Sequence, residues 1–411
     1  MRPELLFLLA GRMAGASFVM MENPLKICMV CYSFYETDNR VRRYSEFLTT
    51  HGHQVDVLSL RMGEERFPES INGVRVYRLQ RRIVNEKGKF SYLFKILAFF
   101  LKAFMTINLL FLKKRYDVVH VHNVPDFLVF AAIIPKLFGS KIILDIHDIL
   151  PEFYINKFSK TESSFVFKVL LWIERISINF SDHVIISNHL WYEKLLKRDV
   201  PKNKLSVIMN YPDPRHFYSR NLEKEKNKII LVYPGTLNYH QGLDLAIKAF
   251  SKVKDKIPTA EFHIYGEGRD RKILGELVSE LGLDTRVLFK GRLPTDKLAI
   301  EVSKADIGVV PKRDDNFGGE AFSTKILEFM IMGIPAIVSA TRIDQYYFND
   351  SIVRFFKPSD IDDLSKAMAR LVLDEGERTR LSKNASEYVK DMNWGVRQKE
   401  YFEILENLVT A

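Results

Sequence analysis

Cysteine is nearly absent from this chain of 411 residues, in which Cys28 and Cys31 are the only two. One C-x-x-C pair supplies half of the ligands of a usual structural zinc site, so such a site is not expected. The pair lies in an apolar stretch, residues 26–32, which favours a buried strand over a redox motif. So few cysteines suit a reducing compartment, and we interpret both as small core residues.

Long hydrophobic runs are also lacking. No uninterrupted apolar run is long enough to span a bilayer, and no internal repeat or low-complexity segment stands out. Residues 1–20 are apolar with two arginines, which leaves three interpretations: an over-called start or disordered leader, a membrane-touching leader, or a signal peptide. We expect the first, because the first predicted strand begins only near residue 26.

Acidic residues are scarce in one basic region of a chain whose net charge is +10. Residues 81–115 contain nine lysines and arginines and a single acid, Glu86. Within them, residues 90–113 are apolar and aromatic and predict a long helix. Such a helix suits the surface of an anionic leaflet, and an ordinary packing helix is the alternative. No nucleic-acid-binding motif appears, so we expect no nucleic-acid partner.

Length and periodicity predict two α/β domains. A chain of this length with 47% hydrophobic residues exceeds one ordinary core. Short apolar strands alternate with helices over residues 21–213 and again over residues 229–393, which predicts a parallel, doubly wound sheet in each half. The polar residues 214–228, with a run of alternating charge, form the predicted linker.

The richest segment is residues 320–339, where Glu320 and Glu328 are separated by seven residues. Ser323 and Thr324 predict a helix N-cap before an apolar run, and Gly333 predicts the helix end. One glutamate therefore precedes a helix N-terminus and the other lies about one turn inside the helix. This arrangement suits a ligand with several hydroxyls and one anionic centre, because the N–H groups of a helix start bind anions.

This segment resembles the E-x7-E signature of the retaining glycosyltransferases of family 4, which have the GT-B fold. Further segments resemble the same family: D-N-R-V-R-R at 38–43, H-V-H-N-V-P-D at 120–126, D-I-H-D-I-L-P-E at 145–152 and Y-G-E-G at 265–268. The resemblance covers nearly all of the chain after residue 21. It implies two Rossmann-like domains that face each other across a cleft, with a last helix, within residues 394–411, that crosses back to the first domain.

The resemblance implies sugar transfer from a UDP-, GDP- or ADP-type donor with retention at the anomeric carbon, and no metal or other cofactor. It implies that Glu328 binds the ribose hydroxyls, that Glu320 binds hydroxyls of the donor sugar, and that His147 touches the transferred sugar. The other donor positions are Gly235, Thr236, Gln241, Gly266, Gly268, Arg292, Phe322, Ser323 and Thr324. On the acceptor side the matching segments contain Asp38, His122 and Asn123.

The chain departs from the family at two cationic positions. Many relatives have Arg and Lys in the first loop of the second domain, where this chain has Thr236 and Gln241. Their loss is costly unless other cations hold the diphosphate. Lys325, in the first turn of the signature helix, is one candidate, and its alternative is a solvated helix residue. Arg40 from the first domain is the other.

The predicted function is therefore a glycosyltransferase that acts at the cytoplasmic face of the membrane in envelope or exopolysaccharide assembly. It is expected to be a peripheral protein with a glycan or lipid-linked acceptor, bound to the anionic surface through residues 90–115. Two alternatives stay open, a nucleotide-sugar 2-epimerase and a catalytically degenerate partner subunit. The replacements at Thr236 and Gln241 keep the second of these open.

Overall fold

The structure is a computed structural model of the whole chain, and it describes residues 23–63, 68–82, 89–158, 164–220, 222, 227–315 and 318–410. The predicted leader, residues 1–20, and residues 223–226 of the predicted linker lie outside these ranges. The described chain forms two parallel sheets, one from each half of the sequence.

The first sheet has eight strands in the order β3-β4-β2-β1-β5-β6-β7-β8, and only β3 runs antiparallel to its neighbour. Its strands are β1 (Lys26–Phe34), β2 (Gln54–Arg61), β3 (Glu69–Ile71), β4 (Val74–Arg81), β5 (Val118–His122), β6 (Lys141–Ile146), β7 (His183–Ile186) and β8 (Leu205–Val207). Its helices are α1 (Asn39–Thr50), α2 (Lys89–Lys114), α3 (Ile133–Leu137), α4 (Leu150–Phe158), α5 (Phe165–Phe180) and α6 (His189–Leu196).

The second sheet has six parallel strands in the order β11-β10-β9-β12-β13-β14. They are β9 (Ile229–Pro234), β10 (Ala260–Tyr265), β11 (Val287–Gly291), β12 (Ile307–Val310), β13 (Ala336–Ser339) and β14 (Arg354–Phe356). The helices are α7 (Leu243–Val253), α8 (Arg271–Glu280), α9 (Thr295–Ser303), α10 (Thr324–Ile331), α11 (Arg342–Tyr347), α12 (Ile361–Leu373), α13 (Glu375–Tyr388) and α14 (Trp394–Thr410). Both sheets are doubly wound, as the alternating pattern predicts.

The last helix, α14, crosses back to the first domain, as expected. Tyr401 is fully buried and its hydroxyl lies 2.8 Å from Nδ1 of His120 on β5. Trp394 packs edge-on against Tyr44 and Phe47 of α1, with ring centroids 5.2 and 5.7 Å apart. The C-terminal helix is therefore part of the core of the first domain.

The basic, apolar region forms α2, which packs on the first sheet through a buried stripe that includes Phe99, Ile107 and Phe111. No uninterrupted apolar run of the sequence is long enough to cross a bilayer, but α2 as a whole contains a stretch that is long and apolar enough by length and composition. The stretch is Ser91–Lys114, in which a window of 18 residues has a mean hydropathy of 1.8 and is only 22% buried. Two lysines, Lys95 and Lys102, interrupt the run in the sequence, and the helix carries apolar residues both on its buried stripe and on its outer face.

Several elements differ from the sequence-based expectation. A single helix over residues 127–138 is replaced by a 3-10 helix, Asp126–Ala132, followed by the short α3. The sequence interpretation also missed α4, α11, α13, β3 and β14, and it gave α12 only as a helix start at residues 360–363. Most of these elements are short, and β3 and β14 are strands of three residues at sheet edges, where neither periodicity nor burial gives a clear signal.

Candidate active site

The predicted site residues follow the carboxyl ends of parallel strands in both domains. His122 ends β5 and His147 follows β6, while Gly235 follows β9 and Gly266 follows β10. Ligands of doubly wound sheets bind at these strand ends. The two sets meet across a cleft, where Nδ2 of Asn188 donates to the backbone oxygen of Glu320 over 3.1 Å.

The signature helix α10 begins without a side-chain cap. Ser323 takes the N-cap position in an extended conformation, as the sequence predicts, but its hydroxyl makes no capping bond. That hydroxyl oxygen is buried and has no hydrogen-bond partner. The N–H groups of the first turn therefore remain available to a ligand, and such a helix start favours an anion.

Lys325 lies in the first turn of α10 and reaches the loop after β9. Its Nζ donates to Oε1 of Gln241 over 3.3 Å and lies 5.3 Å from the centre of the Tyr233 ring. A Cβ at Gly235 would lie 2.4 Å from Cε of Lys325, so the backbone and this lysine are in close contact. Burial lowers the pKa of Lys325 to about 8, and Glu328 opposes the shift. The lysine therefore stands beside the loop in which relatives have their cations.

Glycines let the neighbouring backbone segments approach each other at this point. A Cβ at Gly266, where φ is +137°, would lie 1.8 Å from the backbone oxygen of Gly235. At Gly268, a Cβ would lie 2.3 Å from the backbone oxygen of Leu237. Thr236 is exposed, and Gln241 uses its amide oxygen to hold Lys325. Of the two replacements, Gln241 therefore contacts a lysine that comes from α10.

The two signature glutamates have different surroundings. Burial raises the pKa of Glu328, although Lys325 and Arg43 oppose the shift. Glu320 accepts from Nζ of Lys194 on α6 over 2.6 Å and from Nη1 of Arg342 over 3.2 Å. Because Lys194 belongs to the first domain, Glu320 forms an ion pair across the cleft.

A buried carboxylate, Asp145, organises the histidines of the first domain. Its Oδ2 lies 3.1 Å from Nδ1 of His122 and 3.1 Å from Nε2 of His147. Burial acts to raise the pKa of Asp145, but Arg40 and the histidines hold that pKa well below its usual range. Burial lowers the pKa of His120 to about 3, so this histidine is neutral at pH 7. His147 alone of the three keeps a partly exposed side chain, at 22%.

Arg40 does not project freely into the cleft. It is 3% exposed, and its Nε and Nη2 donate to Oδ2 and Oδ1 of Asp145 over 2.8 and 2.7 Å. This two-point pair fixes Asp145 and, through it, the histidines. Nη1 of Arg40 is buried and has no hydrogen-bond partner, so the hypothesis that Arg40 supplies charge to a diphosphate stays a prediction.

His120, His122 and Asp145 form a group whose ligand atoms lie within 4.8 Å of one another, close enough to hold a metal ion. The group does not fit a cation well, because the Arg40 guanidinium already donates to both oxygens of Asp145. A metal ion there would meet a buried positive charge. The cluster is better explained as an ion pair that positions His147.

The remaining predicted residues have local roles in the fold. Asp38 caps α1 by accepting from the N–H groups of Arg40 and Val41. Asn123 accepts from the N–H group of His147 over 2.8 Å and so fixes the loop after β6. The Phe322 ring packs edge-on against Tyr347, with centroids 5.0 Å apart. Arg292 is exposed and follows β11.

Sequence reasoning missed two cleft residues, Arg43 and Lys194. Arg43 is the last residue of the D-N-R-V-R-R segment. The motif therefore indicated a cleft arginine, but Arg40 was chosen as the candidate. Lys194 gave no signal, because a lysine on an amphipathic helix is ordinary in any sequence. Only the packing of the two domains brings Lys194 to Glu320.

Comparison with known proteins gives a consistent result. Residues 37–211 match the family Glycosyl transferase 4-like domain, and residues 214–388 match Glycosyl transferases group 1. An uncharacterized glycosyltransferase of Methanocaldococcus jannaschii, MJ1607, is 27% identical over 374 residues, which cover 87% of this chain and 90% of that protein. The putative colanic acid biosynthesis glycosyltransferase WcaL of Escherichia coli is 24% identical over 55% of this chain and 57% of its own length.

A solved structure supports the fold. The crystal structure of Anabaena HepE in complex with UDP and glucose superposes with a TM-score of 0.69 at 14% identity, over 93% of this chain and 100% of that chain. The likeness shows that the chain has the two-domain GT-B fold. Together with the two family matches, which span residues 37–388, it establishes that the chain belongs to the group 1, family 4-like glycosyltransferases.

Proposed function

We propose that this glycosyltransferase moves a sugar from a nucleoside-diphosphate sugar to a lipid-linked glycan acceptor, with retention at the anomeric carbon, in envelope or exopolysaccharide assembly. The observation that carries the proposal is the position of Lys325, beside Gly235 and the uncapped start of α10. The UDP and glucose named for HepE support a nucleotide-sugar donor. The colanic acid role named for WcaL supports a polysaccharide pathway.

In this proposal, the diphosphate lies between the loop of Gly235 and the first turn of α10. Diphosphate is the leaving group, so it gains negative charge as its bond to the anomeric carbon breaks. The dipole of α10 supplies roughly half a unit of positive charge at its N-terminus. Lys325 adds a charged donor from the same turn, and a fixed donor aimed at developing charge stabilises the transition state.

The glutamates and His147 are assigned to the two ends of the donor. Glu328, inside the helix, accepts from the ribose hydroxyls, and Glu320 accepts from hydroxyls of the sugar once they replace Lys194. The acceptor oxygen bonds to the anomeric carbon on the face that the diphosphate leaves, and the acceptor hydroxyl gives its proton to the departing phosphate oxygen as the bond from that oxygen to the anomeric carbon breaks. His147, held by Asp145, contacts the transferred sugar. These roles need no bound metal, because Lys325 and α10 supply the positive charge.

Two measurements test the donor and the stereochemistry. A panel of UDP-, GDP- and ADP-sugars is added to the protein, and the melting temperature is recorded. A true donor at a hundred times its Kd adds about 2.7 kcal/mol to the free energy of unfolding. The anomeric configuration of the transferred sugar is then read by NMR. An inverted linkage contradicts retention, and release of free epimerised sugar indicates 2-epimerase chemistry.

We further propose that the first domain lies on the cytoplasmic face of an anionic membrane through the outer face of α2. This face carries large apolar side chains that are more than half exposed: Leu93, Phe94, Leu101, Met105, Leu109 and Leu112. It continues onto α3 and the residue that follows it, where Leu137 and Phe138 are exposed, and Phe138 packs near Phe111 of α2. Lys113 and Arg115 lie at one end of the face, where their positive charges attract the anionic headgroups of a leaflet.

Sedimentation with vesicles tests the membrane proposal. Wild-type protein should pellet with vesicles that contain anionic lipid at low salt and should be partly released at high salt. Leu101→Glu with Leu109→Glu should reduce the bound fraction several-fold. Ile273→Glu is the matched control, because Ile273 is equally exposed but lies on α8 of the second domain. If both variants bind like wild type, the α2 face is not the membrane surface.

A further inference from the structure

Arg43 is a buried cation that has no acidic partner among the residues described. It is 5% exposed, its Nη2 donates to Oδ1 of Asn210, and its Nε has no hydrogen-bond partner. Its guanidinium lies 5.6 Å from the centre of the Trp394 ring. A buried guanidinium that lacks a paired carboxylate costs stability, and an anionic ligand beside it would offset that cost.

Arg43 lines a cavity between the two domains. The centre of a water molecule can move through about 60 Å³ of this cavity, which is room for roughly four water molecules or one phosphoryl group with water. Asn210 from the linker side lines the same cavity, and so do Thr324 and Glu328 of α10. A ligand there would touch both domains and the segment that joins them.

Three helices begin at this cavity. The first residues of α1, α9 and α10, which are Asn39, Thr295 and Thr324, all line it. Thr295 and Asn39 lie 3.5 Å apart across the domain boundary. The starts of α9 and α10 add partial positive charge to the cavity, whereas the carboxylate of Asp38 caps α1 and offsets the charge at that helix start.

The other charges of the cavity neutralise one another. Arg42 and Arg215 both pair with Glu46, at 3.2 and 2.9 Å, and Arg215 also pairs with Asp213 at 2.6 Å. Arg43 and Glu328 are left facing the cavity without such a pair. A ligand that binds both side chains has hydroxyls that donate hydrogen bonds to Glu328 and a negative charge that lies beside Arg43.

We infer that this cavity is an anion subsite shared by the two domains, in which Arg43 binds a phosphoryl group of the ligand that Glu328 holds. The phosphoryl group comes from the nucleoside diphosphate or from a phosphorylated acceptor, and its assignment to the donor rests on the proposed function. Arg43, and not Arg40, is then the first-domain cation of the cleft. Because the ligand contacts both α1 and α10, its binding stabilises the arrangement of the two domains that the structure shows.

Titration calorimetry with pyrophosphate, UDP, GDP, ADP and the free nucleosides tests the subsite. Arg43→Met should weaken binding of pyrophosphate and of the preferred nucleoside diphosphate at least tenfold and leave nucleoside binding unchanged. Arg43→Lys should restore part of the loss, because it keeps the charge. Arg380→Met, which removes a half-exposed arginine of the second domain, is the control and should bind like wild type.

Unfolding of the ligand-free variants separates binding from structure. Arg43→Met should be at least as stable as wild type, because methionine fills the site without a buried charge. Lower stability together with unchanged anion affinity would show a structural arginine and overturn the inference. If Arg43→Met does not fold, Arg43→Gln, which removes the charge but keeps a polar side chain beside Asn210, is used and should also weaken pyrophosphate binding.

Transfer assays identify the source of the phosphoryl group. Weakened nucleoside-diphosphate binding assigns it to the donor, whereas unchanged binding with a raised KM for a phosphorylated acceptor assigns it to the acceptor. The inference is overturned if Arg43→Met changes neither the affinity for any of these anions nor the KM for the acceptor. The pyrophosphate titration needs no transfer activity, so it decides the subsite even if the proposed reaction is wrong.

Discussion

Replacing Lys325 with methionine should make the protein more stable and less active at the same time. Burial lowers the pKa of Lys325 from 10.5 to about 8. At neutral pH, a shift of that size corresponds to roughly 3 kcal/mol of unfavourable free energy in the folded state. Methionine removes this cost but loses the hydrogen bond to Gln241 and the contact with the Tyr233 ring, each worth about 1 kcal/mol. The free energy of unfolding of the variant should therefore be about 1 kcal/mol higher than that of wild type at pH 7.

The pH dependence follows from the direction of the shift. The pKa is lower in the folded state than in the unfolded state, so the unfolded chain binds more protons between pH 8 and 10.5. Wild-type stability therefore gains a contribution that rises with pH, and the variant lacks it. The advantage of Lys325→Met is full at pH 7 and should shrink by about 1.3 kcal/mol by pH 9. Urea unfolding of both proteins at pH 7, 8 and 9 measures the difference, to which Glu328 adds a change of its own because the variant removes the lysine that lowers its pKa.

Activity should change in the opposite direction. Turnover with the true donor should fall ten- to a hundredfold in Lys325→Met, equivalent to about 1.4–2.8 kcal/mol of transition-state stabilisation. Arg40→Met is the informative comparison, because it leaves Asp145 buried without its partner and should cost about 3–5 kcal/mol of stability. A Lys325→Met protein that is less stable than wild type and within twofold of its turnover would show that the lysine is structural.

Further variants test the rest of the site. Glu328→Gln should weaken binding of the free nucleoside diphosphate several-fold, whereas Glu320→Gln should mainly lower turnover; calorimetry and kinetics should separate them, and equal losses of nucleotide affinity would refute the division. Asp145→Asn should lower the free energy of unfolding by about 3–5 kcal/mol, because Arg40 then stays buried without a carboxylate; a loss under 1 kcal/mol in urea would contradict the ion-pair interpretation. Lys194→Met should lower the donor KM a few-fold, because partly exposed ion pairs are weak but this one competes with the sugar for Glu320. An unchanged KM would mean that the pair does not oppose binding.

The sequence was sufficient for the architecture and for most of the strand-end positions. Strands such as Lys141–Ile146 and Ala260–Tyr265 were predicted to the residue, because apolar runs between turns locate buried parallel strands well. Lys325 was predicted to lie near the loop of Gly235, because both segments end at the same edge of one sheet. That expectation needed only the topology of a single domain.

The contacts between the domains could not be predicted in the same way. Arg40 and Arg43 are three residues apart on α1, and the sequence does not show which of them faces Asp145 and which faces the cleft. The pairing of Lys194 with Glu320 depends on how the two domains pack, which is a property of the whole surface. Neither hydrophobic pattern nor local propensity contains that information.

The return of α14 to the first domain sets an order of events during synthesis. Tyr44 and Phe47 of α1 are covered by Trp394 and Phe402, which are made at the end of the chain. At roughly 5–20 residues per second, on the order of ten to forty seconds separate the synthesis of β8 from that of α14. During this interval the nascent first domain has all of its strands but an open aromatic surface on α1. Chaperone binding to ribosome-bound chains should therefore persist until the last helix emerges, long after the first sheet is complete.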